Sequence, residues 1–598
     1  MRRGERFQRV PGVVLGMGLL ALLVAGCTAG PGSGQPSDMA PASQQTFHYQ
    51  LVTGASDISG LDPDVNFDDG DISAHAASAL PISLIYSGLV ALDDNLAVEN
   101  WDAQKVDVTP DGLRYTFHLR SGLKFSDGTS VHASDYAFGL NRTLDPCLDS
   151  ATGGSPVAFY LYPIKDATTF NQETCAPGAG GANNSYGPGT GQSGAVLKTL
   201  VGDSIVADDT AATLTITLSA PAAYFLHALA YPEAVAIEAK VVGANATNSS
   251  WTKTLSQGAT GQGGSGPYYV SAWDHKGSLV LKANPYFWKK PYLRTISISI
   301  YPDGATAYKA YQSGKDDIGY PTATDLAQAH TKGDLRQQGV IWVNYLGMNW
   351  KQPPFDDVRA RQAFALALNK DQLVANVLRG TQTATNHIVP AGMPGYNPNL
   401  KGPAGVASTQ GDAAKAKGLW QQYVQAKCGG QASGCAAVTL NYSSGNATAG
   451  ALATAMAAMW SSALGVNVAL QPVEFDTLQG QLATQSVQFW MIGWRGTFPD
   501  PEDFLSEQFQ QGAPYNFGNV AIKDANALMA RADTDLNEAE RLQEYQQAEQ
   551  MLVDQVAWVP YDQVTDHWQV KSWIHGYVET ALGQPALDQW LGMYVANH

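Results

Sequence analysis

Hydrophobic and polar residues alternate along several short stretches of the chain, which is the pattern of β-strands with one buried face. The clearest stretch is 113–120, Leu-Arg-Tyr-Thr-Phe-His-Leu-Arg, and the turn-forming pair Asp111-Gly112 stands directly before it. Further strands are predicted at 204–218, 279–282, 296–300, 438–440 and 489–492. The alternation therefore predicts sheets that turn one face toward a core.

Helical spacing of apolar residues dominates the second half of the chain. Helices are predicted there at 357–378, 413–426, 449–464 and 536–553. In the first half, Ser134 is a good helix cap, and a helix is expected to follow it through Asn141. The Gly- and Asn-rich segment 176–195 is too polar for a core and is expected to be a loop. Strands and helices together predict one large mixed α/β body without tandem repeats.

The first 26 residues have the features of a secretory signal peptide. Four arginines precede an apolar run at 13–23, which is too short to cross a bilayer comfortably, and small residues follow it. Cys27 comes directly after Val-Ala-Gly and resembles the lipobox cysteine of bacterial lipoproteins, whose thiol takes a diacylglyceryl group. A simple signal peptide with a chance cysteine is the alternative. Residues 27–45 are rich in Gly, Ser, Pro and Ala, which predicts a flexible tether.

The composition narrows the choice of partners. The chain of 598 residues has 36 Lys and Arg against 53 Asp and Glu, a formal charge of −17. This acidic balance argues against a nucleic-acid partner, because nothing would neutralise a run of phosphates. Only 15% of the residues are charged, while 14 Trp and 26 Tyr are present. So many rings either line a ligand cleft or fill the core.

Four cysteines remain once Cys27 is set aside, and an even number in an oxidising compartment predicts disulfides. Cys428 and Cys435 enclose a short loop that closes easily, so they are one expected pair. Cys147 and Cys175 flank one irregular segment and are the other. A zinc site is the competing interpretation, but CxxC and CxxH spacings are absent from the sequence, and we expect no metal site.

The motifs of catalytic sites are missing or out of context. Two Gly-x-Gly-x-x-Gly sequences, at 189–194 and 261–266, neither follow a strand nor open a helix, so neither predicts a dinucleotide site. Carboxylates cluster in the run Asp-Pro-Glu-Asp at 500–503 and could form an acid–base pair. The proline among them favours a helix start, where acidic residues are stabilised. We therefore expect no enzyme activity and no cofactor.

A set of short segments recurs in the order in which one known family carries them. The segments are Leu61-Asp62-Pro63, Ile85 to Leu89, Leu119 to Thr129, Gly266-Pro267-Tyr268, Asn284 to Trp288, Asn349 to Asp356, Val358 to Lys370, Gly493-Trp494, and Asp500-Pro501 with Phe504. Each would be weak evidence alone, but together with Cys27 they extend over nearly all of the chain. On these segments the chain resembles the family 5 extracellular solute-binding proteins, the peptide-, dipeptide- and nickel-type receptors of ABC importers.

The resemblance implies an α/β, two-lobe periplasmic-binding-protein-like fold of type II, in the large form with an extra subdomain. Lobe I is expected at 46–300 and 558–598, with the extra subdomain at about 80–215, and lobe II at 301–557. The lobes of such a protein close about a hinge and bury a solute in the cleft, and no bond of the solute is broken.

Under this resemblance the chain is a lipid-anchored, monomeric receptor on the outer face of the bacterial cytoplasmic membrane. It captures an oligopeptide or peptide-like solute and delivers it to the transmembrane permease subunits of an ABC-type importer. An oligosaccharide is the second candidate solute, because stacked Trp rings and neutral hydroxyl donors suit sugars, and a chelated metal is the third. A secreted hydrolase is the alternative of a different class.

The expected binding site centres on the Gly493-Trp494 motif. In peptide-binding members of the family, an aspartate three residues after this tryptophan holds the α-ammonium group of the ligand. That position is Thr497 here, so either Asp500 takes over its role or the ligand has no ammonium group there. The expected ligand-binding residues are Trp494, Arg495, Thr497, Phe498, Ser59, Asp62, Tyr86, Asn349, Trp350 and Asp500.

Four of these residues have an alternative role that the sequence leaves open. Under the resemblance, Asp500 either contacts the ligand or belongs to the structural Asp-Pro turn of the family. Arg495 is either an anion partner or a solvated surface residue. The rings of Trp350 and Phe498 either form platforms in the cleft or belong to the core.

Overall fold

The computed structural model describes residues 35–53, 58, 60–64, 76–148, 154–155, 157–173, 199–242, 264–275, 277–444 and 447–598. The chain divides into two units, Met1–Met39 and Ala40–His598. Only residues 35–39 of the first unit are described, so the predicted signal peptide, Cys27 and part of the tether lie outside the described residues. The second unit contains the sheets and helices.

The strands of the second unit, as far as it is described, pair into three main sheets. They are β1 (Thr46–Val52), β2 (Val90–Leu92), β3 (Val98–Asn100), β4 (Ala103–Val108), β5 (Arg114–Leu119), β6 (Ile205–Asp208), β7 (Thr213–Thr217), β8 (Tyr268–Asp274), β9 (Ser278–Ala283), β10 (Thr295–Tyr301), β11 (Ile318–Gly319), β12 (Arg336–Met348), β13 (Gln382–Ala384), β14 (Val438–Ser443), β15 (Val468–Val473), β16 (Phe489–Arg495), β17 (Trp558–Val570), β18 (Ile574–His575) and β19 (Tyr594–Val595).

The first sheet has the order β1-β10-β9-β8, with β1 parallel to β10, and the second is the antiparallel sheet β4-β5-β7-β6. The third and largest has the order β11-β17-β12-β16-β14-β15, with β13 beside β17. Two short pairs, β2-β3 and β18-β19, complete the described strands. The predicted mixed α/β body is confirmed at this level.

Helices cover the sheets. Those of the described residues are α1 (Ala76–Ile85), α2 (Ala133–Thr143), α3 (Ala167–Asn171), α4 (Phe225–Ala228), α5 (Ala239–Val242), α6 (Gly304–Gln312), α7 (Leu326–Lys332), α8 (Val358–Leu366), α9 (Lys370–Asn376), α10 (Ala413–Lys427), α11 (Ala447–Leu464), α12 (Phe475–Ala483), α13 (Pro501–Phe509), α14 (Lys523–Ala532), α15 (Glu538–Gln555) and α16 (Leu587–Gly592). The helices predicted at 413–426, 449–464 and 536–553 are confirmed as α10, α11 and α15.

The predicted helix 357–378 is wrong in one respect, because the structure divides it into α8 and α9. The break is set by Asn369, whose side chain accepts a hydrogen bond from the Gln372 N–H at 3.0 Å and so caps the second helix. Such a cap satisfies a backbone donor that would otherwise have no partner at the helix start. The apolar pattern continues across the break and does not reveal it.

The cap predicted at Ser134 is also corrected. Helix α2 begins at Ala133, and its cap is His132 rather than Ser134. The Asp135 carboxylate closes the helix start by accepting a hydrogen bond from the His132 N–H at 2.7 Å. The Ser134 hydroxyl instead donates to Asp209 at 2.8 Å. Helix α2 is thereby tied to the turn between β6 and β7.

Strand β5 confirms the clearest prediction of the sequence. Tyr115, Phe117 and Leu119 are buried, while the residues between them are more exposed, as alternation requires. The stretch predicted as one strand at 204–218 is a hairpin of β6 and β7. Asp208 makes its turn by accepting hydrogen bonds from the backbone N–H groups of two following residues.

Strand β17 connects the large sheet to the first sheet. It pairs with β12 over most of its length, and its last residue, Val570, pairs with Ile318 of β11. Next to β11, the Asp317 N–H donates to the His48 carbonyl of β1 at 2.8 Å, and the His48 N–H donates back to the Asp317 carboxylate. The lobe limits stay a prediction, and β17 shares its sheet with lobe II although the predicted limit assigns it to lobe I.

One predicted disulfide is confirmed. Cys428 and Cys435 are bonded, with their Cα atoms 4.9 Å apart. Cys147 is disulfide-bonded as well, and its predicted partner, Cys175, lies outside the described residues.

A fully buried ion cluster anchors the segment that follows β1. The Arg142 guanidinium of α2 donates to both oxygens of Asp62, at 2.8 and 2.6 Å, and also to Asp64. The three side chains have no exposed surface. Because charges so deep in a protein are tolerated only when they are paired, this cluster fixes residues 61–64 against α2.

We predict that Arg142→Leu lowers the free energy of unfolding by about 3–5 kcal/mol, because it leaves two buried carboxylates without a cation. Urea denaturation of the purified protein measures the loss. The control is Arg359→Leu, since Arg359 pairs with Asp357 near the surface and its removal is expected to cost at most about 1 kcal/mol. Equal losses in the two variants would contradict the assigned role of the buried cluster.

Candidate functional site

The predicted Gly493-Trp494 motif stands at the end of β16, where the chain leaves the large sheet. The Trp494 indole N–H donates to Asp503 Oδ2 at 3.2 Å, and its ring lies 4.7 Å from that of Tyr515. Thr497 donates to the same carboxylate twice, from its N–H to Oδ2 at 3.2 Å and from its hydroxyl to Oδ1 at 2.6 Å. The segment 494–497 is therefore held against the first turn of α13 by one carboxylate.

Asp503 is the residue that the sequence interpretation missed at this place. The sequence assigned the acidic cluster at 500–503 to a helix start, and this is confirmed, because Asp500 caps α13 by accepting from the Glu502 N–H at 3.0 Å. The same helix start brings the Asp503 carboxylate against Thr497. The sequence does not reveal that Trp494 and Thr497 donate three hydrogen bonds to the Asp503 carboxylate. These groups meet only because the chain reverses direction between β16 and α13.

Asp500 is committed to a second interaction. Its carboxylate forms an ion pair with Arg541 of α15, and both side chains are nearly fully buried. Arg541 also donates to the Ala532 carbonyl at 3.2 Å. Asp500 thus joins α13 to α15. The cation that pairs with its carboxylate is Arg541 of the protein rather than a ligand.

The first cavity has a volume of about 250 Å³ and touches the site at Arg495 and Gly496. The Arg495 guanidinium donates to the Leu582 carbonyl at 3.1 Å. Tyr86, another predicted site residue, also lines this cavity. Its hydroxyl donates to the Leu61 carbonyl at 3.1 Å. The remaining lining mixes apolar and polar residues, Asp93 and Thr580 among them, and comes from β1, from α1, from residues 88–96 and 230–235, and from the segment 580–590.

The second cavity, of about 790 Å³, lies beyond Phe498. The Phe498 ring stacks on Tyr224, with ring centroids 5.7 Å apart and planes 10° apart, and it meets the edge of Tyr160 at 6.0 Å. Glu502 and Glu507 of α13 line this cavity as well. Phe498 is thus both a packed ring and a wall of a cavity.

Burial raises the pKa values of three carboxyl groups that line the second cavity. It raises the pKa of Glu502 well above its usual range, and the Glu507 carboxylate adds to the rise. Burial also raises the pKa of Glu507 well above its usual range, and the negative charge of Asp503 adds to this rise. Burial also raises the pKa of Asp533 to about 6, although hydrogen bonds from Ser506, Tyr545 and Gln510 oppose it. Each carboxylate is therefore harder to ionise than in water.

Several predicted site residues lie elsewhere. Asp62 belongs to the buried ion cluster with Arg142. The Asn349 side chain donates to the Gln485 carbonyl at 2.9 Å, and the Trp350 ring lies 3.7 Å beneath the Arg361 guanidinium. Neither Asn349 nor Trp350 is among the described residues that line the two cavities. Ser59 lies outside the described residues. The ligand-binding role of the whole set stays a prediction.

The fold and the cavities define a class: a two-lobe, periplasmic-binding-protein-like α/β fold, as the sequence predicted. The family model of the bacterial extracellular solute-binding proteins, family 5 Middle, matches residues 95–516, so the chain belongs to this family. At the level of the family, the role is therefore solute binding outside the cell rather than catalysis. Within the described part of the chain, the helices fall short of the length and apolarity that a membrane crossing needs.

Relatives cover most of the chain. It is 26% identical to the oligopeptide-binding protein OppA of Bacillus subtilis (strain 168), over 83% of this chain and 86% of OppA. It is also 26% identical to the dipeptide-binding protein DppE of the same organism, over 96% of this chain and 98% of DppE. The unliganded open form of the periplasmic murein tripeptide-binding protein MppA aligns with a TM-score of 0.72 and 22% identity, over 94% of this chain and 99% of MppA.

We predict that Thr497→Asp is about 1–2 kcal/mol less stable than the original protein at pH 8, with a smaller deficit at pH 5. The new carboxyl would face Asp503, which raises its pKa in the folded protein above the unfolded value. A carboxyl with a raised folded pKa contributes stability at low pH and loses it as the pH rises. Urea denaturation at both values measures the deficit.

Thr497→Ser is the matched control, because it keeps the hydroxyl that donates to Asp503. Its stability should stay close to that of the original protein at both pH values. A deficit of Thr497→Asp that is the same at pH 5 and pH 8 would show that the two carboxylates do not repel each other.

Proposed function

We propose that the chain is an extracytoplasmic receptor that captures a peptide or peptide-like solute between its two lobes and delivers it to the permease of an ABC-type importer. The proposal is supported by membership of the solute-binding family and by the relatives, which are named as oligopeptide-, dipeptide- and murein tripeptide-binding proteins. The residues expected to contact the solute are those around 494–498 and Tyr86.

One observation carries the proposal. The cavity of about 250 Å³ takes one wall from β1, through Tyr49 and Leu51, and another from Arg495 and Gly496 at the end of β16. A space shared by the first sheet and the large sheet suits a solute enclosed by two lobes. The Arg495 guanidinium lines this space and, besides its interaction with Asp566, suits the carboxylate group that a peptide carries at its end.

The proposal includes the arrangement of the lobes. Residues 46–300 and 558–598 form lobe I, with the extra subdomain at about 80–215, and residues 301–557 form lobe II. The pairing of β17 with β11 and β12 supports a hinge close to these strands, because they are where the large sheet meets the first sheet. A hinge needs only a few residues at the ends of such elements.

The purified protein is expected to carry or accept short peptides. Mass spectrometry of molecules released on denaturation should identify peptides, and a mixture of tri- to pentapeptides should raise the melting temperature, since a ligand that binds only the folded state stabilises it. A matched mixture of oligosaccharides is the control. A thermal shift with the sugars and none with the peptides would contradict the peptide proposal in favour of an oligosaccharide receptor.

We also propose that Cys27 carries the lipid anchor, on the basis of the sequence Val-Ala-Gly-Cys after an apolar run. Cys27→Ser should abolish incorporation of a labelled fatty acid and move the protein from the membrane fraction to the soluble fraction, because the acyl chains are lost. Cys428→Ser is the control for replacing a cysteine elsewhere in the chain, since it breaks the bond to Cys435 but leaves Cys27 in place. Unchanged fatty-acid labelling of Cys27→Ser would show that the lipobox assignment is wrong.

A further inference from the structure

The second cavity is built from two separate parts of the chain. One wall consists of residues 159–163 and 219–224, and the other of α13 and the segment 510–515. Three of its lining rings pack directly on one another: Phe498 stacks on Tyr224 and meets Tyr160, as described above. Phe159 and Tyr515 make a further edge contact between the walls at 6.3 Å. The volume of about 790 Å³ lies within the usual range of sites for small ligands.

Glu502 is the unusual member of this cavity. Its side chain lines the cavity and the residue is only 7% exposed. Its Oε2 atom is buried and makes no hydrogen bond within the part of the chain that the structure describes, and the same holds for Glu507 Oε2. Asp533 differs from both, because it accepts hydrogen bonds from Ser506 and Gln510. Two carboxylates thus point at the cavity with acceptor capacity left over.

Among the described residues, the lining of this cavity supplies no cation to these carboxylates. None of the described residues that line the cavity is a lysine or an arginine. The nearby Arg541 is already paired with Asp500. The buried His227 stays neutral, because burial lowers its pKa. A buried carboxyl group without a partner charge stays protonated, and a cation that enters the cavity would favour its ionised form and pair with it.

We propose that this cavity binds an organic cation, an ammonium or guanidinium group of the solute, between the three rings and the carboxylates of Glu502 and Glu507. The aromatic lining attracts a cation, and the carboxylates, once ionised, offer charge-assisted hydrogen bonds. The inference rests on the proposed function, since the cation would belong to a peptide. Its source is either the amino terminus of the peptide or a basic side chain.

The test compares four peptides by isothermal titration calorimetry with the whole protein: Ala-Lys-Ala, Ala-norleucine-Ala, and the N-acetylated form of each. The protein is expected to bind the favoured cationic peptide at least about tenfold more tightly than its uncharged counterpart. Loss of affinity on replacing lysine by norleucine identifies the side chain as the source. Loss on acetylation identifies the amino terminus.

Glu502→Gln is the decisive variant. It should abolish the preference for the cationic peptide and leave the affinity for N-acetyl-Ala-norleucine-Ala unchanged. It should also melt at the same or a higher temperature than the original protein without ligand, because it removes an uncompensated carboxylate. Glu544→Gln is the matched control, since Glu544 pairs with Arg531 away from the cavity. Equal affinity of the original protein for all four peptides, or an intact preference in Glu502→Gln, would overturn the proposal.

A probe without a peptide separates this proposal from the proposed function. Hexylammonium should raise the melting temperature of the original protein more than hexan-1-ol does, and Glu502→Gln should remove the difference. If no peptide binds but this difference is present, the cation site stands and the peptide proposal fails. If peptides bind without regard to charge and the difference is absent, the receptor stands and the cation site fails.

Affinity for the cation should rise with pH, because a protonated carboxyl cannot pair with a cation and burial favours the protonated form of Glu502. The ionisable groups around Glu502 are Glu507, Asp533, Asp500, Asp503, Tyr224 and Tyr545, and Arg541 and His227 lie next to Asp500. Calorimetry in two buffers of different ionisation enthalpy should show proton release on binding of the cationic peptide, and none with Glu502→Gln. Proton release of the same size in Glu502→Gln would assign the proton to another group and overturn this role of Glu502.

Discussion

The Asp503 carboxylate makes the interactions on which the arrangement of the site depends. It accepts hydrogen bonds from the indole of Trp494 and from both the backbone and the hydroxyl of Thr497. A buried carboxylate needs such donors, because its hydration is lost on folding. The end of β16 is therefore fixed against the first turn of α13, and this fixes the direction in which the chain leaves the large sheet.

This turn directs neighbouring side chains toward different cavities. Arg495 lines the first cavity, with β1 opposite, while Phe498 lines the second, with Tyr224 opposite. A guanidinium therefore stands on one side of Trp494 and a carboxylate-lined, aromatic space on the other. A solute that reaches both would meet complementary charges, and a peptide carries a carboxylate and an ammonium group in one molecule.

The sequence predicted what depends on local patterns. Strand β5 and helix α10 were found because their periodicity is visible within a few residues. The break at Asn369 was missed because the apolar pattern continues across it. For the site, the Gly-Trp motif led to a segment that borders both cavities, but Asp62 finds its partner Arg142 only through folding, 80 residues further on. The second cavity likewise joins segments that no local pattern connects.

The carboxylates of α13 show what a correctly predicted helix start leaves open. A proline and acidic residues at a helix start are sufficiently explained by the cap and the helix dipole, and both explanations hold here for Asp500. The dipole, however, stabilises a charge at the first turn without specifying the side to which it points. Rotation of the helix sends Asp503 to Thr497 and Glu502 into the cavity. A helix start thus provides one charge for structure and leaves another, still unpaired, for a ligand, and the difference between them is whether the folded chain supplies the donors.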